Sequence, residues 1–237
     1  MSACRPYHHM AAGCFTKMHG ILHAEKRKPM GKIHNVEKMT DNRFVNLYHV
    51  DATSIHNTPV SYYVASRAKD VPSLKLKTGR NDPDGVIIYS IYGEKRDKVV
   101  LVRQYRYTLG DYIYEFPAGL VEPNEDFHEG AVREMYEETG LNFEPLKVNP
   151  AFEKPYFTTV GMTDESCATV YGYASGEISK EAQEDTEEIE VVLADRNEVK
   201  RILKEERVAI MCAYMLMHFI ASPDPFYFLK CDEDRDI

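Results

Sequence analysis

The sequence predicts an α/β (α+β) sandwich, a mixed sheet flanked by helices, with a small antiparallel β-domain attached at the N-terminal side. Three observations carry that expectation. Two strongly β-rich apolar runs at 85–91 and 99–107 precede a helical segment at 125–139. Further strand-like runs are followed by two C-terminal helical segments, the mixture that builds layered sheets and helices. A separate pair of β-rich runs lies upstream, set apart by a polar stretch.

The elements follow in order. Residues 1–40 read as an unstructured extension ahead of the first domain. Positions 1–24 hold Arg5, Lys17 and several histidines but no acid. That bias is shared by organellar targeting segments, and an extension before Met30 or Met39 accounts for it more simply. Residues 41–82 read as the N-terminal β-domain. Runs at 44–50 and 60–66 flank Ser54, Ile55, His56, Asn57 and Thr58, which is the pattern of a hairpin. Two strands alone are marginal in water, so this pair must pack on the main domain or on a second subunit. The polar residues 67–84 make the linker.

The main domain spans 83–222, with 223–237 as a tail. Its strands at 85–91 and 99–107 are separated by the turn-forming Gly93, Glu94, Lys95, Arg96 and Asp97, and 112–116 supplies a third. The helix at 125–139 stops at Gly140, the residue best suited to the left-handed conformation after a helix end. Strands are expected near 147–153, 166–174 and 188–193, and helices near 196–204 and 208–220.

Composition narrows the class of function. The chain has 237 residues, 43% hydrophobic and 28% charged, which suits a folded domain and not a disordered one. A formal charge of -9 opposes general nucleic-acid binding, whose affinity comes from Lys and Arg on phosphates. A phosphorylated small molecule would need metal cations to approach. Cys4, Cys14, Cys167, Cys212 and Cys231 lack the spacing of a zinc site or disulfide framework, and read as reduced thiols in a cytoplasmic setting. No run reaches the eighteen or so apolar residues that a bilayer requires, so no membrane partner is expected.

Residues 119–141 carry the chemistry. On a helix, Glu134, Glu137 and Glu138 share one face, because positions three and four apart are neighbours. Like charges at that spacing destabilise a bare helix, so cations should neutralise them. Hard oxygen ligands that leave positions to water and substrate suit magnesium. Arg133 stands four residues before Glu137 and can fix its orientation, while Phe127, Ala131 and Met135 form an adjoining apolar face. A generic acidic helix with these residues would ordinarily be a solvated surface.

The surrounding pattern overrules that reading. Gly119, Glu125, Arg133-Glu134, Met135, Glu137-Glu138, Gly140 and Leu141 match every specified position of the Nudix signature, so the segment resembles that family. The resemblance implies a loop-helix-loop in a Nudix α/β/α sandwich, binding two or three divalent ions, magnesium or alternatively manganese. Glu134 and Glu138 would be the principal ligands, with Glu137 and the carbonyl of Ala118 assisting and Gly119 at the substrate.

Sequence outside the box resembles the ADP-ribose pyrophosphatase and nucleotide-sugar branch. The matching strings are Arg43-Phe44-Val45-Asn46-Leu47-Tyr48, Ser61 to Arg67, and Val102 to Arg106 followed by Glu115 to Gly119. That branch implies a homodimer through the β-domain, whose active sites borrow residues from both subunits. It also implies a diphosphate contact for Arg106, whose planar fork suits phosphate oxygens, and nucleoside recognition for Glu115. Tyr105, Tyr107 and Tyr112 are candidates to stack on a base, although aromatic residues beside strands are more often core. Thr159 to Glu165 resembles the branch's substrate loop, in which the glutamate positions substrate or metal, but Val160 stands where proline is usual. That departure questions ADP-ribose as the substrate. The acidic stretch 181–190 is equivalent to a mobile loop supplying a general base, Asp185 or, slightly favoured, Glu187. The expected reaction is hydrolysis of a nucleoside diphosphate sugar, ADP-ribose first, with UDP-sugars or GDP-mannose as alternatives. An ADP-ribose-sensing domain without catalysis is a more distant one.

Overall fold

The structure is a computed structural model that describes residues 31–183 and 186–230. Residues 1–30 of the extension expected over 1–40, Asp185, and residues 231–237 of the expected tail lie outside the described residues. The chain forms a three-stranded sheet and a larger mixed sheet. The small sheet has the order β1-β2-β3, with β1 at Lys32–Lys38, β2 at Asn46–Thr53 and β3 at Pro59–Ser66, all antiparallel. Its β2–β3 turn closes through Ser54 N–H to the Thr58 carbonyl at 2.9 Å, with Asn57 in the left-handed region at φ 59. The sheet therefore starts at Lys32, inside the segment expected to be an unstructured extension. Only Val36 is buried along β1, so the strand shows no apolar alternation that would announce it.

The expected linker is partly ordered as well. Val71–Ser73 is a 3-10 turn capped by Asp70, and α1 at Lys75–Thr78 ends on Gly79. Lys75 ties this segment to the main domain, its ammonium donating to Asp84 at 2.7 Å and to the Asp82 carbonyl at 2.8 Å.

In the large sheet, β4 (Gly85–Tyr92), β5 (Lys98–Arg106), β8 (Asn142–Pro145), β10 (Ser166–Ser175) and β11 (Ile189–Ala194) run in the order β11-β5-β4-β10-β8. Strand β4 pairs in parallel with β10 and antiparallel with β5. Three short strands extend it: β6 (Asp111–Glu115) on β5, β7 (Ala118–Leu120) on β4 and β9 (Tyr156–Phe157) on β10. Successive side chains of a strand point to opposite faces, and here both faces are covered. Val86, Ile88 and Val100 pack with Ala131, Met135 and Leu141 of the helix side. Tyr89, Ile91, Val99 and Leu101 pack on the opposite face with Val199, Ile202, Leu216 and Phe219. Each such full burial is worth about 1.5–3 kcal/mol.

The helices are α2 (Phe127–Thr139) on one face, and α4 (Arg196–Glu205) and α5 (Ile210–Ala221) on the other. Asp126 caps α2 through His128 N–H, and Gly140 ends it at φ 74. The strand expected near 147–153 is not there. The strand is β8, ahead of it, and Asn149 instead caps a short helix, α3 at Pro150–Glu153, with proline in its first turn. Among the described residues no helix is long and apolar enough to cross a membrane.

Candidate active site

The site forms where the N-terminal ends of the parallel pair β4 and β10 meet β7 and the helix α2. Register places Gly85, Val86 and Ile87 of β4 against Leu120, Gly119 and Ala118 of β7. This pairing carries the loop across the face of α2 that bears the three glutamates. Glu138 is only 3% exposed, and its Oε2 accepts from Ala118 N–H at 3.1 Å. Gly119 passes so close to Glu134 that a Cβ there would fall inside the Glu134 carboxylate. A side chain at 119 is thus incompatible with the carboxylate's position.

Arg133 organises the acids. Its Nε and Nη2 grip the two oxygens of Glu125 at 2.9 and 3.0 Å, and Nη1 donates to Glu134 at 2.8 Å and to Glu137 at 2.9 Å. Nη2 also reaches the Leu120 carbonyl at 3.1 Å, so one guanidinium joins the loop to the helix. The expected Arg133–Glu137 pair is present. Each contact with Glu134 and Glu137 uses one oxygen and leaves the other outside it. Ala131 and Met135 are fully buried and Phe127 is partly so, which sets the angle of the acidic face.

The charges are not balanced at the centre. Burial raises the pKa of Glu138 well above the ordinary carboxylate range, and Glu187 and Glu134 raise it further. Glu134 is raised by burial and by Glu137 and Glu187, against the pull of Arg133. Carboxylates that raise each other's pKa in a buried place favour either a proton or a cation. Among the described residues no three acidic, histidine or cysteine side chains close into a cage. An open arrangement of carboxylates suits an ion that takes its remaining ligands from water and phosphate.

Around these acids lies a cavity of about 680 Å³. It gathers nine of the positions singled out from the sequence: Arg106, Glu115, Ala118, Gly119, Arg133, Glu134, Glu137, Glu165 and Glu187. Glu138 sits behind the wall, bonded to Ala118. Glu187 faces the cavity, whereas the next residue, Glu188, turns away to bond the Tyr112 hydroxyl. Arg106 and Glu115, on paired strands, meet at 2.6 Å. The lining also includes Arg67 and Cys167, to which the sequence reading gave no role in the site. Burial pushes the Cys167 thiol up to about 11, so it is not a thiolate at neutral pH.

One expectation is revised. Tyr107 is 85% exposed and Tyr105 and Tyr112 are partly so, forming an edge-to-face trio and not core. Val160 is 70% exposed and lies outside the cavity lining.

Comparison with known proteins agrees with this geometry. The model of the NUDIX domain matches residues 82–212. An ADP-sugar pyrophosphatase of Mus musculus is 33% identical over 102 residues, 43% of this chain and 47% of that protein. An ADP-ribose pyrophosphatase of Bacillus subtilis is 33% identical over 120 residues, covering 48% and 60%. The chain spans about half the length of the curated relatives it matches. A solved ADP compounds hydrolase shares the fold with a TM-score of 0.53 at 19% identity, over 74% of this chain and 83% of its own.

Proposed function

The chain belongs to the Nudix family, and on that premise we propose that it hydrolyses the diphosphate bond of a nucleoside diphosphate sugar, ADP-ribose first, to AMP and ribose 5-phosphate. The observation that carries this reading is the buried, unbalanced acidic centre of Glu134 and Glu138 beneath Gly119, opening into a cavity that also presents Arg106 and Arg67. The names of the mouse and Bacillus subtilis relatives favour ADP-ribose and related ADP-sugars.

Glu134, Glu138 and Glu137, with the Ala118 carbonyl, would hold two or three magnesium ions, which neutralise phosphate charge and polarise the phosphorus when bound. The fit rests on an all-oxygen donor set and on carboxylates that burial and mutual repulsion leave in need of a cation. Arg133 holds two of those carboxylates in place through one nitrogen. Arg106, released from Glu115, would present its planar fork to the diphosphate. Glu187, which faces the same cavity and is near enough to raise both Glu134 and Glu138, would take the proton from the attacking water. Glu165 would position the substrate.

The exposed apolar residues Ile33, Leu47, Val60 and Tyr63 of the small sheet support a homodimer through that sheet. Cys167 and Cys212 are free thiols, which suits a reducing cytoplasmic setting.

The test is release of monophosphate from ADP-ribose, UDP-glucose, GDP-mannose, NADH and diadenosine polyphosphates, with magnesium and with EDTA. Metal-dependent cleavage led by ADP-ribose is expected. Cleavage led by another sugar nucleotide would overturn the substrate, and no cleavage of any would overturn the hydrolase.

A further inference from the structure

Two neighbouring glutamates at the end of the acidic stretch point to opposite faces of the large sheet. Glu187 lines the cavity, and Ile189, the next residue on that side, is buried. Glu188 and Glu190 are exposed and alternate with them, as successive residues of a strand do. Glu190 meets Arg103 of β5 on that outer face at 3.5 Å. A slip of one residue in the pairing of this segment would exchange the two faces. Glu187 and Glu188 carry the same carboxylate, so their own chemistry does not decide which of them enters the cavity.

The pairing around β5 decides it. Ile189 stands opposite Gln104 and Glu190 opposite Arg103, and Tyr105 N–H donates to the Glu188 carbonyl at 3.1 Å. On the other side of β5, Tyr112 of β6 stands opposite Tyr105. Tyr112 and Glu188 thus flank Tyr105 across two strand spacings, about 9.5 Å. The Tyr112 hydroxyl crosses that span and donates to the Glu188 carboxylate. Its ring is held for the reach. Tyr105 meets it edge-on with centroids 5.5 Å apart, and the Arg103 guanidinium lies over it at 4.1 Å. Earlier in the stretch, Gln183 Nε2 donates to the Glu138 carbonyl at 2.6 Å, and Ser179 N–H donates to the Thr139 carbonyl at 3.0 Å. That side is therefore tied to the end of α2, and the Tyr112 contact fixes the side that enters β11.

We propose that Tyr112 is a positioning residue, which holds Glu188 on the outer face and thereby assigns Glu187 to the cavity. The proposal rests on the reading of Glu187 as the group that takes the proton from the attacking water. Tyr112 itself stands outside the cavity lining, so it acts through Glu188 and not on the substrate. A phenylalanine in its place keeps the ring contacts and loses the atom that reaches Glu188.

The test measures kcat and KM for ADP-ribose in Tyr112→Phe, Glu188→Ala, Glu188→Gln, Glu187→Gln and the Tyr112→Phe/Glu187→Gln pair. Hydrogen exchange of segment 186–190 is followed in the same proteins without magnesium. Tyr112→Phe should lower kcat about tenfold, the worth of one hydrogen bond to a charged group, with KM and melting temperature nearly unchanged. Exchange in segment 186–190 should accelerate. Glu188→Ala should reproduce both effects, and Glu188→Gln, which keeps an acceptor oxygen, should recover most of the loss. In the Glu187→Gln background, Tyr112→Phe should add nothing further. Equal factors in both backgrounds would overturn the proposal, because Tyr112 would then act without Glu187. A raised KM at unchanged kcat would overturn it too, by making Tyr112 a substrate contact. Glu187→Gln with wild-type turnover, or a wild type that turns over nothing, would sink the proton-acceptor or hydrolase reading separately. Exchange then decides: acceleration by Tyr112→Phe supports the positioning role, and an unchanged rate overturns it.

Discussion

Gly119 and Glu134 occupy one another's only available space: β7 holds the glycine where any Cβ would overlap the glutamate's carboxyl group. Because Gly119 is paired to Val86 within the sheet, it cannot retreat, and Glu134 must swing away if a methyl group is added. Gly119→Ala should therefore reduce kcat/KM by at least about 100-fold, the scale on which misplacing a reacting group by an ångström is felt. Steady-state kinetics with magnesium check this, alongside a circular dichroism spectrum to establish that the fold survives. Turnover near wild type would show that the carboxylate has no fixed place to lose.

Glu138→Gln should separate activity from stability in opposite directions. The glutamine keeps an oxygen for Ala118 N–H, so the loop remains tied to the helix. Burial, with Glu187 and Glu134 adding to it, raises the Glu138 pKa well above the ordinary range, so its charged form costs folding energy at neutral pH. Removing that charge should leave the melting temperature equal or higher, while activity falls by more than the roughly 100-fold typical of losing one electrostatic contact at a reaction centre. Active sites commonly trade stability in this manner. A variant that is both active and less stable would remove Glu138 from the metal site and make it a structural acid.

Much of this site was legible because its logic is local. Three glutamates at helical spacing, an arginine four residues ahead of one of them and a glycine at each end of the segment are sequence statements, and α2 with its loop realises them. The apolar strands β4 and β5 were equally plain, since both faces of each are buried. Strand β1 was hidden because only Val36 turns inward. Where a strand was expected near 147–153, Asn149-Pro150 starts a helix, by capping and by proline's fixed φ. Arg67 closes one of the matching strings, but its pairing with Glu165 was not legible. Its partner stands 98 residues away, and no local pattern connects a residue after a β-hairpin to a loop that precedes β10.

Arg133 should prove the chief structural member of the acidic group. It makes five hydrogen bonds, to Glu125, Glu134, Glu137 and the Leu120 carbonyl, and is shielded from water over most of its side chain. Arg133→Ala would leave three carboxylates without their cation, so urea unfolding should show a loss of about 1.5–3 kcal/mol, the range for hydrogen bonds to charged groups. Arg133→Lys should recover less than half of it, because an ammonium cannot span Glu125 and Leu120 together. Magnesium should restore more stability to the alanine variant than it adds to the wild type. An alanine variant indifferent to both urea and magnesium would mean that the carboxylates repel weakly and need no holding.

His128 gives the fold a pH dependence whose sign is fixed by its surroundings. It lies in the first turn of α2, with Nδ1 at 2.8 Å from Asp126 and Nε2 at 3.1 Å from Glu153 of α3, which is itself buried. Burial alone would lower its pKa, but the two carboxylates outweigh that and leave it above its ordinary value. A histidine whose pKa is higher in the folded than in the unfolded chain stabilises the fold fully below the unfolded value, about 6.5. That contribution disappears as pH rises through the folded value. The wild type should therefore lose stability relative to His128→Gln as pH rises from about 6 to about 8, the window in which a histidine raised above 6.5 titrates. Urea midpoints of both proteins across that range measure the difference. A wild type whose advantage grew with pH would mean that His128 is held neutral in the fold.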